Sequence, residues 1–153
     1  MGKTIVFYKS GARRSFNIVG ELDSRFMKKD NIVRVEIGDS VTKIGWCAFD
    51  GCTSLTSITI PDSVTEIGEK AFFNCTSLTS ITIPDGVESI GDFAFAHCIS
   101  LTSVVIPNSV TEIGDGAFGG CSNLTSVVIP DGVTYIGFGV FYCCPCESAI
   151  ATN

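Results

Sequence analysis

The sequence predicts an α/β repeat solenoid: a coil with a parallel β-sheet along one face and short helical turns on the other, closed at its start by a hairpin and short-helix cap. Three observations carry this. A period of 23 residues runs through the chain, set by Cys52, Cys75, Cys98, Cys121 and Cys144, by Phe49, Phe72, Phe95, Phe118 and Phe141, and by Gly45, Gly68, Gly91, Gly114 and Gly137. Within each period a segment such as LTSITIP ends in alternating apolar and polar residues, as in a strand with one buried face. The 45% of hydrophobic residues against 17% charged, over 153 residues, supplies one domain with a continuous core and excludes bulk disorder.

The elements follow in chain order. TIVFY, the turn KSGA and RRSFNIV read as a hairpin, and ELDSRFMKK as a short helix that lays Leu22, Phe26 and Met27 over the first coil. Residues 1–31 therefore form a cap, which a stack of repeats needs because its open end exposes apolar columns and unpaired strand edges. NIVRVEI is a leading strand, since Ile32, Val35 and Ile37 stand one period before Leu55, Ile58 and Ile60. Each repeat then contributes one strand, parallel to its predecessor because the rest of the period is a crossover too long for a hairpin. In the copy beginning at Leu78, Pro84 and Asp85 end the strand. Val87 and Ile90 point inward, Gly91 allows a bend, and a short helical turn faces Ala94, Phe95 and Cys98 to the core. Five such repeats after the leading strand fill residues 32–146. Glu147 stands in the column of the core residue Leu124, so residues 147–153 read as a tail.

The units IPDSVTEIGEKAFFNCTSLTS from Ile60, IPDGVESIGDFAFAHCISLTS from Ile83 and IPNSVTEIGDGAFGGCSNLTS from Ile106 resemble the BspA-type, or Treponema-type, leucine-rich repeats, whose signature is IPxxVxxIGxxAFxxCxxLxxIxI. The likeness covers about residues 32–144. It implies a right-handed leucine-rich-repeat coil and a role in adhesion and protein recognition at cell surfaces or in extracellular assemblies, without naming a ligand. Gly38 stands where later copies have Pro, Val140 where they have Ala, and the first 30 residues are unmatched.

Charge is uneven. Residues 1–43 hold nine Lys and Arg against five acids, and from residue 44 onward Lys70 alone faces eleven, so +4 and −10 sum to the net −6. The basic end does not point to nucleic acid, because Arg13 and Arg14 lie in the hairpin and no basic helix face follows. No apolar run of about 18 residues exists for membrane insertion, and MGKTIVFYKSG lacks the apolar stretch of a signal peptide. The compartment stays open.

Catalysis is not expected. Any Ser–His or Cys–His pair must use the single histidine, His97, whose column of Gly51, Asn74, Gly120 and Cys143 carries no common function. Asp39, Asp62, Asp85 and Asp131 recur once per coil and read as turn residues that accept backbone hydrogen bonds rather than as a cation site. IGDGAFGG lacks both a GxGxxG pattern and a Walker lysine. The cysteine ladder reads as buried, reduced core packing. The CCPC at Cys143, Cys144 and Cys146 lacks the spacing of a zinc site but leaves Cys143 and Cys146 for a disulfide to another chain or tail. No cofactor or metal is expected.

Function then rests on surface. The open sheet face carries Ser57 and Thr59, Ser80 and Thr82, Ser103 and Val105, Ser126 and Val128, with no aromatic anchor. The variable positions of GxxAFxx carry Trp46, Phe73, Phe93, Phe138 and Tyr142, aromatics the scaffold does not dictate, and these are the candidate partner-binding residues. Their competing role is lateral packing between coils. The expected function is a non-catalytic recognition or adhesion module for a protein or glycan, with self-association open. The alternative is a structural component of a larger assembly such as a phage or cell-surface appendage.

Overall fold

The computed structural model describes residues 2–24, 29, 31–148 and 151–152. The expected hairpin forms from β1 (Thr4–Tyr8) and β2 (Arg13–Phe16), antiparallel with Thr4 opposite Phe16. β3 (Gly20–Leu22) follows, then β4 (Ile32–Glu36), the leading strand, which pairs antiparallel with β1, and β5 (Val41–Ile44), which pairs parallel with β3. The repeats add β6 (Ser57–Thr59), β7 (Glu66–Ile67), β8 (Ser89–Ile90), β9 (Ser103–Val105), β10 (Glu112–Ile113), β11 (Ser126–Ile129), β12 (Tyr135–Ile136) and β13 (Ala151–Thr152).

These strands form two parallel ladders per coil, where the sequence points to one. The expected ladder is interrupted: β4 pairs with β6 in one sheet, and beyond a break at the Ser80 coil, which adds only a bridge from Ser80 to Ser103, β9, β11 and β13 form another. The second runs β3, β5, β7, β8, β10, β12. Every pairing between repeats joins equivalent residues, such as Val35 with Ile58 and Ile67 with Ile90. The second ladder escapes a search for alternation because its strands are two residues long over most of the stack. The tail stays with the coil, for Ala151 and Thr152 pair with Val128 and Ile129.

The α/β description and the helical cap do not hold. No α-helix occurs among the described residues, and Pro145–Ser148 is a 3-10 turn. Gly20–Leu22, placed by sequence in a cap helix, is a strand, and residues 25–28 and 30, including Phe26 and Met27, lie outside the described residues. On the GxxAFxx side the reason is a division of labour among amides. Ala48, Asp50 and Cys52 donate to the carbonyls three residues back, those of Gly45, Cys47 and Phe49, closing successive turns. Cys47, Phe49 and Gly51 donate instead to Glu69, Ala71 and Phe73 of the next coil at 2.7–3.0 Å. An α-helix would need all of them four residues back. Two residues per turn segment sit in the left-handed region: Cys47, Lys70, Phe93, Gly116 and Gly139 in one column, Gly51, Asn74, His97, Gly120 and Cys143 in the other.

Between the three sides lies a core built in columns. Leu55, Leu78, Leu101 and Leu124 are fully buried, as are Val64, Val87 and Val110. The phenylalanines stack face to face with ring centroids 5.1 Å apart from Phe49 to Phe118 and 5.6 Å between Phe118 and Phe141. Offset stacking of this kind adds to the burial of each ring.

The cysteine ladder is buried as expected, and it also has bonding work: Cys75, Cys98, Cys121 and Cys144 donate their S–H to Phe49, Phe72, Phe95 and Phe118 carbonyls at 2.9–3.2 Å. Burial pushes the Cys52 and Cys98 thiols up to about 12 from an ordinary 9.0, and raises Cys75 as well. Cys121 is raised by the neighbouring Cys144 thiol and by burial.

Candidate functional site

The turn side of the coil presents the variable positions. There the Phe95, Phe118 and Phe141 coils differ in bulk: the first carries Phe93, Ala96 and His97, the second Asp115, Gly116, Gly119 and Gly120, the third Phe138, Gly139 and Tyr142. The middle coil is cut down to glycine between two coils with rings. The result is a cleft of about 450 Å³ with Gly116, Gly119 and Gly120 as floor and Phe93, Phe138 and Tyr142 in its walls.

Backbone geometry explains two of the floor glycines. Gly116 and Gly120 occupy the left-handed columns, at φ 58° and 72°. Both are also close beneath a ring of the preceding coil: a Cβ on Gly116 would meet Phe93 Cε1 at 2.6 Å, and one on Gly120 would meet His97 Nδ1 at 2.6 Å. Gly119 lies outside the left-handed region and under no ring, and a Cβ there would meet the Gly116 carbonyl oxygen at 3.2 Å. Its column holds Asp50, Phe73, Ala96 and Tyr142 in the other coils, so this position takes side chains elsewhere and leaves the cleft floor bare here.

Asp115 is held in a short ladder of carboxylates. Asp92 Oδ1 accepts the Asp115 amide at 2.8 Å, and Asp115 Oδ1 accepts the Phe138 amide at 2.8 Å. The turn aspartates Asp39, Asp62, Asp85 and Asp131, which the sequence nominates for backbone bonding, are exposed, and the turns beside them close through Val64, Val87 and Val133 donating to Pro61, Pro84 and Pro130.

The five candidate aromatics divide. Phe93, Phe138 and Tyr142 share the cleft and are 42%, 91% and 68% exposed. Trp46, 60% exposed, stands on the Phe49 coil away from them. Phe73 is half-buried and meets His97 edge-on at 5.4 Å, the lateral packing that competes with a binding role. His97 and Cys143 both reach the cleft but belong to one column two coils apart, about 10 Å at strand spacing, so they form no Cys–His pair. No group of three His, Cys, Asp or Glu suited to a metal occurs among the described residues. Sequence reasoning overlooked the glycine floor. Its signal was IGDGAFGG, weighed there only as a phosphate loop.

A second groove of about 580 Å³ follows the strand ends, lined by Asp85, Val105, Pro107, Asn108, Val128 and Asp131. It has no aromatic wall.

Repeat, ladder and core columns define a leucine-rich-repeat β-solenoid. Six copies of the BspA type leucine rich repeat region match residues 22–150, and the chain belongs to that family. Among solved structures it is similar to the leucine-rich repeat protein TpLRR of T. pallidum, at 35% identity and TM-score 0.68, covering 85% of this chain and 72% of that one. It is also similar to a leucine-rich repeat protein of Bacteroides ovatus at 32% identity, TM-score 0.65, and a leucine rich cell surface protein of Faecalibacterium prausnitzii at 33%, TM-score 0.63. Coverage of this chain is 97% and 96% in those two, while it spans only 42% and 45% of their lengths. A search of curated proteins finds no match to the chain.

Proposed function

We propose that the chain is a non-catalytic recognition or adhesion module, that its partner is a protein or glycan, and that contact is made on the turn face at the cleft of Phe93, Phe138 and Tyr142. One observation carries this: Phe138 is 91% exposed beside a side-chain-free floor, whereas Trp46, the other aromatic of its column, has no such floor beside it and the remaining equivalents are Glu69, Asp92 and Asp115. A large ring left in water offers contact area at low entropic cost. Kinship with a cell surface protein agrees with such a role. Residues 1–31 serve as its N-terminal cap.

The test compares the wild type with the double variant Phe138→Ala/Tyr142→Ala and with the sheet-face variant Thr82→Arg/Ser103→Arg on peptide and glycan arrays, each with a melting curve. The aromatic variant should lose binding and the sheet-face variant keep it. The reverse pattern places the site on the sheet.

A second reading, a structural component that docks by its end, is favoured by β12. It ends its sheet, and Ile136 is 49% exposed where Ile44, Ile67, Ile90 and Ile113 of the same column are buried. Concentration-dependent association abolished by Ile136→Glu would support it. A monomer at all concentrations would remove self-association.

A further inference from the structure

We infer that the cleft takes the guanidinium of an arginine side chain presented by a protein partner. This deepens the function proposed above and rests on it. Geometry comes first. The walls stand on the Phe95 and Phe141 coils, two strand spacings or about 10 Å apart, and Phe93 leans over Gly116 to narrow that gap. A planar group held between two rings needs about 7 Å, twice a carbon contact distance. A flat group is the natural occupant of a gap between rings.

Charge selects among flat groups. Asp115 is among the lining residues and exposed, and its Oδ1 accepts the Phe138 amide. Beyond Lys70 the chain has seven acids and neither lysine nor arginine, so nothing in these coils neutralises the site. Ring faces are themselves negative, so carboxylate and aromatics attract the same sign. Among cations, arginine is planar, weakly hydrated, stacks on aromatic faces and grips a carboxylate with two donors. A lysine ammonium is a strongly hydrated point charge. A quaternary ammonium is round and needs walls on more than two sides.

The test is an amide-resolved NMR titration of the full chain with acetyl-Gly-Arg-Gly-amide, the same peptide carrying the neutral isostere citrulline, the lysine peptide, and choline chloride. The arginine peptide should bind about fivefold or more tightly than citrulline, with shifts at Gly116, Gly119, Gly120 and Gly139, and the preference should shrink as salt rises. Asp115→Asn keeps an oxygen for the Phe138 amide but removes the charge, and should bring the ratio close to one. Phe138→Leu, on an exposed side chain, should reduce it. Gly119→Phe, which copies Phe73 of another coil, should abolish all shifts.

Citrulline binding as well as arginine, or lysine or choline binding more tightly, overturns the inference. If those shifts still vanish in Gly119→Phe, the cleft remains a binding site and the proposed function stands. If no probe shifts the cleft and the aromatic variant binds the arrays like wild type, both fall.

Discussion

Replacing Phe95 by leucine removes one ring from the middle of the stack while keeping an apolar side chain in its place. Phe95 is fully buried and touches two rings, Phe72 and Phe118, each at 5.1 Å with planes within 7° of parallel. Phe141, at the end, touches Phe118 alone, at 5.6 Å, and is 5% exposed. A stacked pair contributes about 0.5–1.5 kcal/mol beyond burial, so Phe95→Leu forfeits about 1–3 kcal/mol through stacking and Phe141→Leu about half of that. The change in shape and volume is the same at both sites, so the difference between the variants isolates the stack. Equilibrium urea unfolding followed by circular dichroism reads it, with coincident fluorescence as the check that a repeat chain still melts in one step. Equal costs at the two sites, or a larger cost at Phe141, would refute the idea that ring stacking, rather than burial alone, stabilises the column.

Three further outcomes are expected. Gly91→Ala would bring a Cβ to 2.7 Å from the Glu69 nitrogen and 2.8 Å from the Gly68 carbonyl carbon, both backbone, and should cost about 1–3 kcal/mol as an overpacked site; Gly45→Ala meets only the flexible Glu21 carboxylate and should cost less in the same melts. Lys70→Gly relieves a left-handed residue at φ 53° and gives up only the exposed pair with Glu69, so it should raise stability by up to about 1 kcal/mol, and a loss would contradict the strain. Because the folded-state thiols of Cys52 and Cys98 are raised from 9.0 to about 12, they hold their full stabilising effect below pH 9, and it is lost as pH climbs from there towards 12. Each contributes a slope of about 1.4 kcal/mol per pH unit in that window, and Cys98→Ala should remove one such share between pH 9 and 10.5; an unchanged slope would show that burial does not govern the thiol.

The period and the inward columns were legible because they are made of large apolar residues, which repeat for a reason that composition exposes. The turn geometry was hidden for the opposite reason. Cys47, Lys70 and Phe93 occupy left-handed positions that glycine would have announced, and their inter-coil hydrogen bonds impose the conformation against residue preference. The second ladder was hidden by shortness, since Glu66–Ile67 and Ser89–Ile90 are too brief to alternate. As for the cleft, its rings were visible as aromatics without a structural task, but its floor is an absence of side chains. Gly116, Gly119 and Gly120 acquire meaning only when Phe93 on one neighbour and Phe138 on the other are seen to rise around them.

Equivalent pairing from coil to coil makes the stack a one-dimensional crystal whose unit cell is a stretch of sequence. Val35 meets Ile58 as Ile67 meets Ile90 and Glu112 meets Tyr135, with the turn amides in step. Inserting or excising a whole cell would leave each remaining junction as it was, so the length of such a molecule is free to vary. A single extra residue inside a coil is a dislocation instead: it sets the second ladder, the ring stack and the thiol column out of phase together unless a bulge takes it up, as one does between β3 and β5.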